Sequence, residues 1–146
     1  MQINNKSMGN SQSMQKINFE DIQTACKNPE IYLLINTLPE SEQNCLIVNT
    51  VPAQNEEQII NHHMYSSKRI RILIYGRNSS DEKVYKKYDQ LVKLGFSNVF
   101  IYLGGLFEWL MLQDIYGYDE FPTTIKQIDF LKYKPPPRLN ISLIEN

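Results

Sequence analysis

The chain has 146 residues and a mass of 17.1 kDa, the size of one domain that can bury a core without metals or disulfides. Its 15 basic and 16 acidic residues give a net charge of -1 without long blocks of one sign, so we expect neither nucleic acid nor a membrane as a partner. Its apolar stretches are far shorter than the ~20 residues that cross a bilayer, and its polar start is unlike a signal peptide. These properties predict a soluble protein that is cytoplasmic or otherwise intracellular.

The cysteines and histidines predict neither disulfides nor a metal. Cys26 and Cys45 are too few for a disulfide framework and lack CxxC spacing, which favours a reducing compartment. His62 and His63 are neighbours, and on a helix their rings point about 100° apart, so they do not converge on one ion. We therefore expect no metal site and no cofactor.

The first half of the chain contains signals for two strands and two helices. Residues 1–15 have almost no large apolar side chains besides Met and are predicted to be a disordered leader. Asn18 suits the N-cap of a short amphipathic helix, and the continuous apolar run at residues 31–35 is typical of a strand covered on both faces. Residues 45–48 predict a shorter second strand that ends near Pro52, and Asn55 suits the cap of the helix that follows.

The second half repeats the alternation. A third strand is predicted at residues 70–75, followed by a polar loop and by an amphipathic helix that ends near Gly95. Residues 99–103 predict a fourth strand, and Gly104-Gly105 then allows a tight turn with a close approach of two backbones before the last helix. Strands that alternate with helices and are apolar on both faces predict an α/β fold with a largely parallel sheet.

The composition changes again near the end of the chain. The final residues include Pro122 and the run Pro135-Pro136-Pro137, which has polyproline II character. We interpret residues 121–146 as an extended C-terminal tail that wraps the domain or acts as a stiff spacer. The globular domain is accordingly predicted at residues 16–120.

The loop after the third strand is the candidate functional site. Ligands of parallel α/β sheets collect at the carboxyl ends of the strands, where backbone N–H groups can hold an anion. Gly76 opens this loop and has no side chain with which to attack a substrate, and no His is positioned by the sequence to activate the loop serines. The candidate anion-binding residues are Gly76, Arg77, Asn78, Ser79, Ser80 and Asp81.

Residues 72–109 resemble the second half of a rhodanese-like domain. Two motifs carry the resemblance: Gly95-Phe96 with Val99 three residues later, and Gly104-Gly105 followed at the right distance by Glu108-Trp109. The first half agrees more loosely, and the resemblance covers roughly residues 16 to 115. It implies a mainly parallel sheet of about five strands, flanked by helices on both faces.

In active members of the family, the resemblance implies a sulfurtransferase that carries sulfur as a cysteine persulfide. The position of that cysteine is Gly76 here, and the family's Asp and Arg after the first core strand are matched by Asn36 and Leu38. The loop is about two residues longer than in typical sulfurtransferases and closer to that of the related dual-specificity phosphatases that act on cell-cycle kinases. Both chemistries need an activated thiolate, which glycine cannot supply.

These residues predict a non-catalytic rhodanese-like module rather than an enzyme. It is expected to bind either an unknown protein partner or a small oxyanion at the degenerate active-site loop. An alternative is a sulfurtransferase that uses the off-motif thiol of Cys45, although a small buried side chain is the simpler interpretation of both cysteines. A third hypothesis is a structural domain whose tails bind the partners.

Overall fold

The computed structural model describes residues 14–139, and in this part of the chain five parallel strands form one sheet in the order β1-β5-β4-β2-β3. The predicted parallel five-stranded sheet is confirmed. The strands are β1 (Lys16–Ile17), β2 (Tyr32–Asn36), β3 (Thr50–Val51), β4 (Arg71–Tyr75) and β5 (Val99–Tyr102). The helices are α1 (Phe19–Lys27), α2 (Ala53–Ser66), α3 (Lys83–Lys93) and α4 (Gly105–Tyr116), with short 3-10 turns at Glu40–Glu42 and Phe130–Tyr133.

Side chains of the central strands alternate between two cores because successive residues of a strand point to opposite faces. Leu73 and Tyr75 of β4 join one core with residues of α1 and α4, whereas Ile72 and Ile74 join a second core with residues of α2 and α3. Helices therefore cover both faces of the sheet, as expected from strands that are apolar throughout.

Two helix boundaries follow the predicted signals. Asn18 caps α1 in a capping box, in which its side chain accepts from the N–H groups of Glu20 and Asp21. Gly95 follows α3 with a φ of 104°, a conformation that glycine adopts without strain.

The second strand, predicted at residues 45–48 and ending near Pro52, does end there, but residues 45–48 are not part of it. The strand in this region is β3 at Thr50–Val51, and Cys45, Leu46 and Ile47 lie outside the main sheet. Leu46 forms two hydrogen bonds with Thr124. The Thr124 N–H donates to the Leu46 carbonyl at 2.8 Å, and the Leu46 N–H donates to the Thr124 hydroxyl oxygen at 3.0 Å. This run is apolar because a distant part of the chain covers it, and not because it lies inside the sheet.

The expected cap at Asn55 was also wrong. The helix begins at Ala53, two residues earlier, and Pro52 occupies the N-cap position. Proline is well suited to the start of a helix because it lacks the N–H that would have no partner there.

The N-terminal end of the described chain packs onto the domain. Met14 contacts the second core, and the carbonyl of Gln15 accepts the Ile101 N–H at 2.8 Å beside β1. The remainder of the predicted leader, residues 1–13, lies outside the described residues, as do residues 140–146 of the predicted tail.

The first core continues into residues 121–139, which we call the C-terminal segment. Phe121 and Tyr133 of this segment are buried in the first core, and the Trp109 indole N–H donates to the Pro122 carbonyl at 3.1 Å. Within residues 14–139, no helix is both long and apolar enough to span a bilayer.

Candidate functional site

The loop of residues 76–82 joins β4 to α3 at the carboxyl end of the sheet, where the sequence placed it. Tyr75, the last residue of β4, pairs with Tyr102 of β5, so the loop lies beside the turn at Gly104-Gly105 that begins α4. Gly76 and Asn78 are buried, while Ser79 and Ser80 are exposed. The predicted site residues are therefore close in space, but they do not all face the same way.

The carboxylate of Asp81 fills the interior of this loop. Its Oδ2 accepts hydrogen bonds from the Arg77 N–H at 3.0 Å and from the Thr37 hydroxyl at 2.9 Å. Its Oδ1 accepts from the N–H of Lys83, the first residue of α3, at 3.0 Å. Two N–H groups that would otherwise face an external anion therefore already bind an anionic group of the same chain.

The space expected for a nucleophile is taken by the same carboxylate. A Cβ atom added to Gly76 would overlap Oδ2 of Asp81 and lie 2.8 Å from the Thr37 hydroxyl oxygen. Because Gly76 does not have a positive φ, the backbone would accept a side chain, and the obstacles are the side chains of Asp81 and Thr37. A side chain at position 76 requires Asp81 to leave its hydrogen bonds.

The N-terminus of α4 also donates to the loop. The N–H of Leu106 binds the Gly76 carbonyl at 2.9 Å, and the N–H of Phe107 binds the Arg77 carbonyl at 3.0 Å. Gly105 permits this contact, with a φ of 70° and an imagined Cβ only 2.8 Å from the Gly76 oxygen. The close backbone approach predicted at Gly104-Gly105 is thus observed, and it satisfies N–H groups that a helix start leaves unpaired.

The side chain of Arg77 is engaged on three sides by its own chain. It forms an ion pair with Glu42, donates to the main-chain carbonyl of Lys132, and lies 5.0 Å from the ring centroid of Tyr133. Asn78 makes a parallel contact, with its Nδ2 donating to the Tyr133 carbonyl at 2.7 Å. Both side chains that could recognise a ligand bind the C-terminal segment.

The two other departures from the family pattern are part of the core. Asn36 is buried, and its Oδ1 accepts from the Leu38 N–H at 3.0 Å and from Gln43 Nε2 at 2.9 Å. Leu38 is buried in the first core. The structure therefore gives Asn36 and Leu38 packing roles, in which they hold the chain after β2 in place.

Neither cysteine is in a setting that favours a thiolate. Cys45 is fully buried with its Sγ 3.8 Å from the Ile125 carbonyl, and burial raises the pKa of its thiol despite the neighbouring Lys132 and Tyr133. Burial also raises the pKa of Cys26 to about 11, and its Sγ donates to the Val48 carbonyl at 3.4 Å. Both thiols are therefore neutral near pH 7.

Three residues that complete the site were missed by sequence reasoning: Thr37, Glu42 and Tyr133. Tyr133 had the clearest signal, because two aromatic residues, at positions 130 and 133, stand just before the proline run. Thr37 and Glu42 follow β2, and their contacts to the loop join residues that are 44 and 35 positions apart. Among residues 14–139, no group of acidic, His and Cys side chains is arranged to hold a metal ion.

Comparison with known proteins places the fold in a recognised group. No family model and no curated protein matches the chain. The crystal structure of the Alr3790 protein from Anabaena sp. is similar over 78% of this chain and 83% of its own length, with 21% identity and a TM-score of 0.54. A second structure, of the Rhodanese_3 like domain from the same Anabaena protein, covers 64% of this chain and 99% of its own, with 22% identity and a TM-score of 0.45. At this level of identity the likeness concerns the fold alone, and the fold of this chain is rhodanese-like.

Proposed function

We propose that the protein is a non-catalytic rhodanese-like module that acts by binding polypeptide at its degenerate active-site loop. The observation that carries this proposal is the Asp81 carboxylate, which occupies the space in front of Gly76 where a nucleophile would lie. With Asp81 in that space, position 76 has no attacking group, and the N–H groups of Arg77 and Lys83 already donate to a carboxylate rather than to a transferred group.

The geometry favours a polypeptide over an oxyanion as the ligand. An oxyanion would have to displace Asp81 from the N–H groups of Arg77 and Lys83, or bind against its negative charge. The side chains of Arg77 and Asn78, in contrast, already bind main-chain carbonyls. The loop is thus built to recognise peptide backbone.

The burial of Cys45 argues against the alternative hypothesis, a sulfurtransferase that uses the Cys45 thiol. Persulfide transfer needs a thiolate that its sulfur donor can reach, and Cys45 has no exposed surface and a raised thiol pKa. Its contacts are those of a small apolar core residue.

The test is a thiosulfate-to-cyanide sulfur transfer assay on the intact protein. We expect thiocyanate formation to equal the uncatalysed rate in the wild type, in Cys45→Ser and in the matched control Cys26→Ser. Turnover in the wild type that disappears in Cys45→Ser but persists in Cys26→Ser would overturn the proposal and establish the off-motif enzyme.

A further inference from the structure

Residues 130–134, at the end of the buried part of the C-terminal segment, lie across the degenerate loop; we call them the docked turn. The turn is a 3-10 turn at Phe130–Tyr133 followed by Lys134 in an extended conformation. It sits against both the loop and α4, and it brings an aromatic side chain to each of them.

The loop holds the docked turn mainly through its backbone. Arg77 donates to the carbonyl of Lys132 and Asn78 donates to the carbonyl of Tyr133. These two hydrogen bonds join side chains of the loop to main-chain atoms that every peptide carries. The contact therefore fixes the path of the bound backbone without requiring particular side chains at those positions.

Two aromatic residues supply the selectivity. Tyr133 is 1% exposed, and the guanidinium of Arg77 lies over its ring. The ring of Phe130 lies 6.4 Å from that of Phe107 on α4, between centroids. A segment that lacks aromatic side chains at this spacing would leave a buried space beside the loop unfilled.

The outer side of the docked turn is exposed. Leu131 is 56% exposed, and Lys132 and Lys134 are exposed as well, so the turn is bound on one side only. A short 3-10 turn has little stability of its own, and its position depends on the contacts with the loop and α4.

We propose that the loop is a docking site for peptide segments with two aromatic residues three positions apart, and that the docked turn is its resident ligand in cis. A partner that presents a segment of this kind binds by displacing the docked turn, which exposes Phe130 and Tyr133 on the released segment. This inference rests on the proposed function, and it names the chemistry of the partner and the competition that controls access to the site.

The competition has a quantitative consequence. A segment tethered to its own site competes at an effective concentration of roughly millimolar, so a free peptide binds the intact protein weakly. Weakening the tethered ligand, without altering the loop, must strengthen binding of the free peptide.

The experiment measures binding of a fluorescent peptide of residues 126–139 to full-length protein by anisotropy. We expect Tyr133→Ala to bind this peptide at least about tenfold more tightly than the wild type does. Leu131→Ala, which removes an exposed side chain of the same turn, is the matched control and should bind like the wild type. The double variant Tyr133→Ala with Asn78→Ala should bind the peptide no more tightly than the wild type does.

Phe130→Ala repeats the test with a side chain that is only partly buried, so the proposal stays testable if melting curves show that Tyr133→Ala does not fold. A folded Tyr133→Ala or Phe130→Ala protein that binds the peptide no better than wild type would overturn the docking site, as would a gain that survives Asn78→Ala. A negative peptide-binding result would overturn the docking site without changing the result of the sulfur-transfer assay. Turnover in the sulfur-transfer assay, in contrast, would overturn the proposed non-catalytic function itself.

Discussion

The two faces of the sheet are completed in different ways. On the face of α1 and α4, the C-terminal segment extends the core and covers the loop of residues 76–82. On the face of α2 and α3, an open groove of about 540 Å³ remains between the helices, with Ile60 and Leu91 in its lining and an ion pair between Lys87 and Glu56. The loop of residues 76–82 is thus covered by its own chain, while the larger concave surface lies on the opposite face.

The largest effect is expected where the loop meets α4. Gly105→Ala must place a Cβ 2.8 Å from the Gly76 carbonyl oxygen and 2.9 Å from the Asn78 nitrogen, at a φ of 70°. Backbone conformation and overpacking together should lower the free energy of unfolding by about 2–5 kcal/mol in urea titrations. Gly117→Ala, at a φ of 111° with nothing within 4 Å of the added atom, has a conformational cost without any overlap. A loss below about 1 kcal/mol in Gly105→Ala would show that the two backbones are not in close contact.

Next comes the attachment of the C-terminal segment. Asn78→Ala removes the hydrogen bond to the Tyr133 carbonyl in a buried setting and should cost about 1–3 kcal/mol. It should also speed trypsin cleavage after Lys132, since the docked turn loses one of its two main-chain contacts with the loop. The neighbouring Ser79→Ala, at an exposed position, should change neither quantity. Loss of stability without faster cleavage after Lys132 would show that Asn78 does not hold the docked turn in place.

A smaller effect is expected inside the loop. Gly76→Ala should lower stability by about 1–2 kcal/mol, because the new methyl group displaces Asp81 from its hydrogen bonds. In an Asp81→Ala background the same substitution should cost less, and a double-mutant cycle should give a coupling energy of about 1 kcal/mol. Strictly additive losses would mean that Asp81 does not fill the space in front of Gly76.

The smallest effect is expected on the open face. Lys87→Met breaks the ion pair with Glu56 across the groove, whose two side chains retain some exposure, and should change stability by about 0–1 kcal/mol. Lys86→Met, on the exposed side of the same helix, is the control and should behave like the wild type. If Lys87→Met lost as much stability as Asn78→Ala, the contacts on the two faces of the sheet would not differ in strength as expected.

Local patterns accounted for most of the fold. The central strands, the cap at Asn18 and the turn at Gly95 depend on residues within a few positions of one another, and all were predicted. The error at residues 45–48 arose because their burial depends on residue 124 and its neighbours, a contact that no local pattern records.

The candidate site was predictable in position but not in content. The sequence placed Asp81 in the loop, but its inward orientation depends on Thr37 and on the start of α3. The sequence likewise placed Arg77 at the site, whereas its partners Glu42 and Tyr133 come from segments that only the folded chain brings together. The composition of such a site is decided by tertiary contacts.

We expect the loop of residues 76–82 to be occupied by its own carboxylate and to bind no external anion. An NMR titration of the wild-type protein with thiosulfate, at constant ionic strength, tests this expectation at the N–H groups concerned. The amide signals of Arg77, Ser80 and Lys83 should show no saturable shift. Saturable shifts at Arg77 and Lys83 would show that thiosulfate displaces Asp81, and would contradict the proposed function.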